Sequence, residues 1–196
     1  MGAPRVHVVD LDGAATGELH NLDIITEIAS TLLIPTQTGG GIRHLETIEE
    51  LLKAGIDRVI LGTVAVEEPT LIKDACCNFS ESIIICIDTW EGRLAIHGWQ
   101  QHTDLRAIEF ANSMVELGVK RFIYTDISRD GTLTEPNITA IAEIVNTIKL
   151  PILAAGGISS LTHLALLGRL GVEGAIVGKA LYTGNINLKK ALATVS

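Results

Sequence analysis

Short apolar runs alternate with amphipathic stretches along the whole chain. The runs at Val6 to Leu11, Pro35 to Thr38, Arg58 to Leu61, Ser82 to Ile87, Arg121 to Asp126, Pro151 to Ala154 and Ala175 to Val177 are, the second apart, rich in Val, Ile and Leu. Near-continuous apolar content of this kind fits strands covered on both faces. Between them the period changes. "HLETIEELLKAG" puts Leu45, Ile48, Leu51 and Leu52 on one helical face and stops at Gly55, where a left-handed residue can close the helix. "TDLRAIEFANSMVELG" and "ITAIAEIVNTIK" follow the same plan, and Asn137 stands where the second needs an N-cap. Strands alternating with helices predict βα units around a parallel sheet.

The chain also repeats itself. "TQTGGGIR" and "LAAGGISS" carry Gly40 and Gly156, which are 116 residues apart. Gly62 in "VILGT" and Gly178 in "IVGKA" are 116 apart, and so are Asp10 in "VVDLDG" and Asp126 in "YTDISRDG". Three blocks in one order at one offset describe two copies of a multi-strand unit. Seven strands and this symmetry predict an α/β fold of the (βα)8 TIM-barrel type, a two-half internal repeat with seven of its eight βα units present. The strand that ends at Asp88 opens the second half, and its counterpart would precede Met1.

Composition narrows the class. A chain of 196 residues, 47% hydrophobic and 19% charged, can bury roughly 70% of its unfolded surface. A single barrel domain over 1–196 is expected. No apolar run nears the roughly 18 residues of a membrane span, and the start lacks the form of a signal peptide, so a cytoplasmic protein with no membrane partner is expected. A net charge of −8 without a Lys/Arg run argues against nucleic acid. Cys76, Cys77 and Cys86 make no CxxC pair, and Cys76 and Cys77 are expected to pack within a helix. The six histidines lack metal-ligand spacing and read as surface or packing residues; no metal or cofactor is implied.

Candidate chemistry gathers where the strands end. In such barrels the βα loops at the C-terminal face carry the site. Asp88, Thr125, Asp126 and Asp130 fall there, as do Gly40 and Gly41, Gly62 and Thr63, Gly156 and Gly157, and Gly178 with Lys179. A glycine lets backbone N–H groups come close to an oxyanion, and the following helix turns its positive end toward it. One glycine cluster alone is ordinary turn geometry. Two paired clusters on opposite sides of a ring predict a ligand with a phosphate at each end. Asp88 has a structural alternative, pairing with Arg93; Asp130 could be an Asp-Gly turn; and Asp126 reads as a structural acceptor.

The blocks "VHVVDLDGA", "QTGGGIR", "VILGT", "IDTWEGRLAIHGW", "YTDISRDGTL", "AAGGIS" and "IVGKAL" together resemble the phosphoribosylformimino-5-aminoimidazole carboxamide ribotide isomerases of histidine biosynthesis. The cyclase subunit of imidazole glycerol phosphate synthase is similar, but "GRLAIHGW" and "YTDI" favour the isomerases. The resemblance implies an Amadori rearrangement of an aminoaldose bisphosphate to an aminoketose by general acid–base catalysis. It assigns Asp130 as the acid, Asp88 to substrate positioning or proton transfer, and Thr125 to a ligand hydrogen bond. Trp99 would stack on the ligand and Arg43 support the first phosphate loop. Gly40, Gly41, Gly62 and Thr63 would form one phosphate site, and Gly156, Gly157, Gly178 and Lys179 the other. In that family the base is an Asp ending the first strand, which this sequence does not contain. A bisphosphate-binding chain without turnover, and specificity for a related tryptophan-pathway substrate, stay open. Unpaired edge strands would favour a homo-oligomer.

Overall fold

The strands are β1 (Val6–Val9), β2 (Thr36–Gly39), β3 (Arg58–Leu61), β4 (Ile83–Trp90), β5 (Arg93–Ile96), β6 (Gln101–Arg106), β7 (Phe122–Asp126), β8 (Ile152–Ala155) and β9 (Gly174–Ala175). In this computed structural model, which describes residues 2–195, seven of them form one parallel sheet in the order β1-β2-β3-β4-β7-β8-β9. All seven strands read from the sequence are present. Their ends differ slightly: Leu11 belongs to helix α1 (Leu11–Thr16), because Asp10 caps that helix by accepting from the Gly13 N–H, and Val177 lies beyond β9.

The remaining helices are α2 (Leu22–Thr31), α3 (Leu45–Lys53), α4 (Thr63–Glu67), α5 (Pro69–Phe79), α6 (Ala107–Glu116), α7 (Ile138–Ile148), α8 (Leu161–Leu170), α9 (Lys179–Tyr182) and α10 (Leu188–Val195). Strand alternation sorts the side chains into two layers. Ile83, Ile85 and Ile87 of β4 face outward and pack with Ile48, Leu51, Ile72, Phe110, Met114 and Ile144 of the helices. Ile84 faces inward, where it meets Ile60, Ile123, Leu153 and Ala155, with Cys86 and Ile176 against them. The fold is an α/β TIM-barrel type: a curled parallel sheet, helices outside, a small apolar core within.

Two elements escaped the sequence reading. After β4 the chain turns back through Glu91 (φ 51°) and Gly92 (φ 78°), pairing Trp90 with Arg93. Two successive left-handed residues are the geometry of a two-residue hairpin turn. Strands β5 and β6 continue this antiparallel excursion, so "TDLR" is strand and α6 starts only at Ala107. Strand β6 is exposed at nearly every position, which leaves no apolar alternation to recognise. Cys76 is buried as expected, whereas Cys77 is exposed, on the outer side of α5.

The repeat reaches into the polar contacts. Asp10 takes the Asn21 amide at 2.7 Å and Asp126 takes the Asn137 amide at 2.7 Å, and these residues are 116 apart in both cases. At the N-terminal ends of the strands Arg5 pairs with Asp57, and its equivalent Arg121 with Glu173 at 2.6 Å. Arg58 joins the halves by reaching Glu173 at 3.1 Å across 115 residues. β1 and β9 are the two edges of the parallel sheet. No helix among the described residues is long and apolar enough to cross a membrane.

Candidate active site

A cavity of about 480 Å3 opens at the C-terminal ends of the parallel strands. Its lining includes Asp88, Thr125 and Asp130, together with Gly40, Gly41, Arg43, Gly62, Thr63, Trp99, Gly156, Gly157, Gly178 and Lys179. These are the thirteen residues singled out from the sequence, brought to one cavity.

The glycines fall into two kinds. Gly40, Gly41, Gly156 and Gly157 have φ of 109°, 72°, 88° and 75°, a region closed to most side chains. Neighbouring backbone also crowds them: a Cβ on Gly40 would lie 2.1 Å from the Asp10 carbonyl oxygen, and one on Gly157 2.3 Å from that of Glu135. The fold itself therefore requires these four. Gly62 (φ −116°, ψ −95°) and Gly178 (φ −103°, ψ −97°) share one conformation and are not crowded. Their missing side chains leave open space beside backbone N–H groups, which suits an oxyanion. The helices that follow are single turns, α4 with five residues and α9 with four, so local N–H groups rather than a long helix dipole would carry anion binding.

The carboxylates differ sharply. Asp10 and Asp126 are saturated: Asp10 accepts from the N–H groups of Gly13, His20 and Asn21 and from the Asn21 amide, at 2.7–2.9 Å. Burial alone would raise its pKa, but these donors together hold it below the ordinary 3.8. Asp126 accepts from Ser128 and Asn137, the structural role read from the sequence. Asp130 is the reverse case: burial pushes its pKa up, the Gly131 N–H opposes, and the charge of Asp88 adds to the rise. The Asp-Gly turn, the alternative reading at Asp130, is present as well, with Gly131 at φ 66°. Asp88 does not pair with Arg93, which goes to Asp104 instead. Its Oδ1 accepts from the Cys86 thiol at 2.9 Å and its Oδ2 from the Trp99 indole N–H at 2.7 Å.

Trp99 stands at the tip of the unforeseen hairpin, in a run of left-handed residues with His97 (54°), Gly98 (59°) and Trp99 (69°). The tip is fastened to the rim of the first glycine site. The His97 N–H donates to Thr63 Oγ1 at 2.9 Å, the His97 ring meets Glu67 at 2.9 Å, and Arg43 reaches the ring at 3.3 Å and Glu67 at 3.7 Å. Arg43 thus ties the hairpin to the loop it follows. Lys179 donates to the Gly131 carbonyl at 2.6 Å, joining the second glycine site to the Asp130 loop.

Two titratable lining residues were not among those candidates. His7, read as surface or packing, points into the cavity from β1, and Cys86 lies one inward step below Asp88 on β4. Strict alternation from Asp88 reaches Cys86; no comparable marker distinguishes His7. Among the described residues no three His, Cys, Asp or Glu side chains are grouped to hold a metal ion.

Comparison with known proteins gives a consistent result. The family described as "Histidine biosynthesis protein" matches residues 1–187. A protein of Dehalococcoides mccartyi is 57% identical over all of this chain and 83% of its own length. One of Thermoanaerobacter pseudethanolicus is 52% identical over 98% of this chain and 81% of its own, and one of Microcystis aeruginosa 47% identical over 100% and 78%. All three are named 1-(5-phosphoribosyl)-5-((5-phosphoribosylamino)methylideneamino) imidazole-4-carboxamide isomerase.

Proposed function

Since the chain belongs to the histidine biosynthesis protein family, we propose that it is an isomerase converting an aminoaldose bisphosphate ribotide to the aminoketose, an Amadori rearrangement in histidine biosynthesis. The observation that carries the reading is the pairing of two uncrowded glycines, Gly62 and Gly178, on either side of a cavity holding Asp88 and Asp130. Two N–H cradles suit a ligand with two phosphates, and the carboxylates between them suit proton transfer. Asp130 acts as the acid: burial raises its pKa and so favours the protonated form that donates to the ring oxygen, and ring opening leaves the open-chain sugar for proton removal at C2. Asp88, its carboxylate fixed at both oxygens, positions the sugar and moves protons; Thr125 bonds the ligand, and Trp99 stacks on it while orienting Asp88.

The seven parallel strands correspond to units two to eight of an eight-unit barrel, a reading supported by the 116-residue repeat and by the edges β1 and β9. The base at C2 then comes from a strand outside these 196 residues. Asp10 is a poor substitute, since its oxygens already accept four hydrogen bonds. Binding without turnover is the second reading, favoured by that same open edge.

The test is turnover. The 196-residue chain should run at least about two orders of magnitude below a full-length relative, the usual contribution of a positioned base. A βα fragment ending its strand in Asp should raise the rate, and the same fragment with Asn should not. Full activity of the chain alone, abolished by Asp10→Asn, would refute this account. Bisphosphate that fails to bind would refute both readings.

A further inference from the structure

Most of the side chains that turn inward from the sheet are apolar, yet β1 and β2 contribute a polar pair. His7 and Gln37 stand opposite one another in register, with the Gln37 Nε2 at 3.0 Å from the His7 Nδ1. Gln37 is 2% exposed, and its Oε1 has no partner among the described residues. Burying an amide at this cost needs a reason. With Nδ1 accepting from the amide, the ring proton resides on Nε2, and the described residues offer that atom no acceptor. Burial holds the imidazole pKa below its ordinary 6.5, against the pull of the Asp88 charge, so the ring is neutral at pH 7.

Beyond the Thr125 hydroxyl, free side-chain donors are few in the cavity. Lys179 is committed to the Gly131 carbonyl, Arg43 to His97 and Glu67, and the Trp99 indole to Asp88. Asp88 and Asp130, when ionised, accept hydrogen bonds and donate none. A sugar bisphosphate carries hydroxyl oxygens between its phosphates, and those oxygens can accept as well as donate. His7 lines the cavity.

We propose that His7 is a ligand-contacting residue: a neutral imidazole, set by Gln37, whose Nε2–H donates a hydrogen bond to a sugar hydroxyl of the bound bisphosphate. The assignment rests on the isomerase reading of the cavity.

The test combines spectroscopy with calorimetry on the 196-residue chain. Long-range proton–nitrogen spectra of wild type should show His7 as the Nε2–H tautomer at pH 7; an Nδ1–H tautomer would overturn the assignment. The aminoaldose bisphosphate substrate and inorganic phosphate are then titrated into wild type, His7→Leu and His7→Gln. Loss of one hydrogen bond should weaken substrate binding about tenfold in His7→Leu and leave inorganic phosphate unchanged. His7→Gln, which keeps an amide N–H at similar reach, should recover most of that loss and also controls for folding. Equal substrate affinity in wild type and His7→Leu would overturn the assignment alone. No substrate binding by wild type would overturn the isomerase reading and the assignment with it.

Discussion

Asp130 has no partner in the repeat: 116 residues earlier stands Ala14, which lines the same cavity. The glycine cradles are shared between the halves, whereas the proposed acid belongs to one. Environment separates it from Asp10, and pH should expose the difference. Asp130 has a raised pKa in the fold, so it favours the protonated state there and burdens the fold once ionised. Its stability contribution is complete below the ordinary 3.8 and is lost as pH rises through the higher folded value. Asp130→Asn should therefore melt above wild type at pH 7, while the two converge in acid and the variant loses turnover. Asp10 runs the other way. Its stabilisation is present above 3.8 and lost as pH falls through the lower folded value, so Asp10→Asn should melt below wild type at pH 7 with a gap that narrows in acid. Thermal melts across that range check both signs; a stabilised Asp10→Asn, or a destabilised Asp130→Asn, would contradict the assignment of environments.

At the scale of elements, the hairpin of β5 and β6 holds Trp99 against Asp88 through a few polar contacts to the first glycine site. Thr63→Val removes the acceptor of the His97 N–H and keeps the side chain's shape. Hydrogen exchange at His97 to Trp99 should then speed up by about tenfold, the worth of one such bond, while exchange in β4 and β7 stays unchanged. The sequence announced the rigid part of this arrangement well. Strands β3, β4, β7 and β8 were visible because they are largely buried and apolar, and the glycine cradles were visible because they recur at one spacing. The hairpin was not, since β6 is polar and exposed, with its packing carried mainly by β5. Nor was His7, because a histidine in an apolar strand reads the same whether it faces the helices or the bore. Only register with Gln37 and the curl of the sheet tell the two apart.

For the molecule as a whole, the edges matter most. β1 and β9 each have one strand neighbour, and Val9, Leu11, Ile24, Leu33 and Tyr182 are exposed apolar side chains, Leu33 fully so. Unpaired strand edges beside exposed apolar groups invite association. Light scattering on the isolated chain should show a dimer or larger species that falls to monomer when a βα fragment is supplied; a stable monomer at high concentration would argue that the edges are harmless. At the N-terminal ends of the strands Arg58 and Arg121 share Glu173. One last consequence concerns descent. Gly40, Gly41, Gly156 and Gly157 are demanded by the backbone around them, so a lineage that had stopped using the cavity would still keep them as long as it folded. Gly62 and Gly178 are not held by crowding, since a Cβ there would meet open space. In a relic of the enzyme they would be free to drift, and the first trace of a lost trade would be a side chain at one of those two positions.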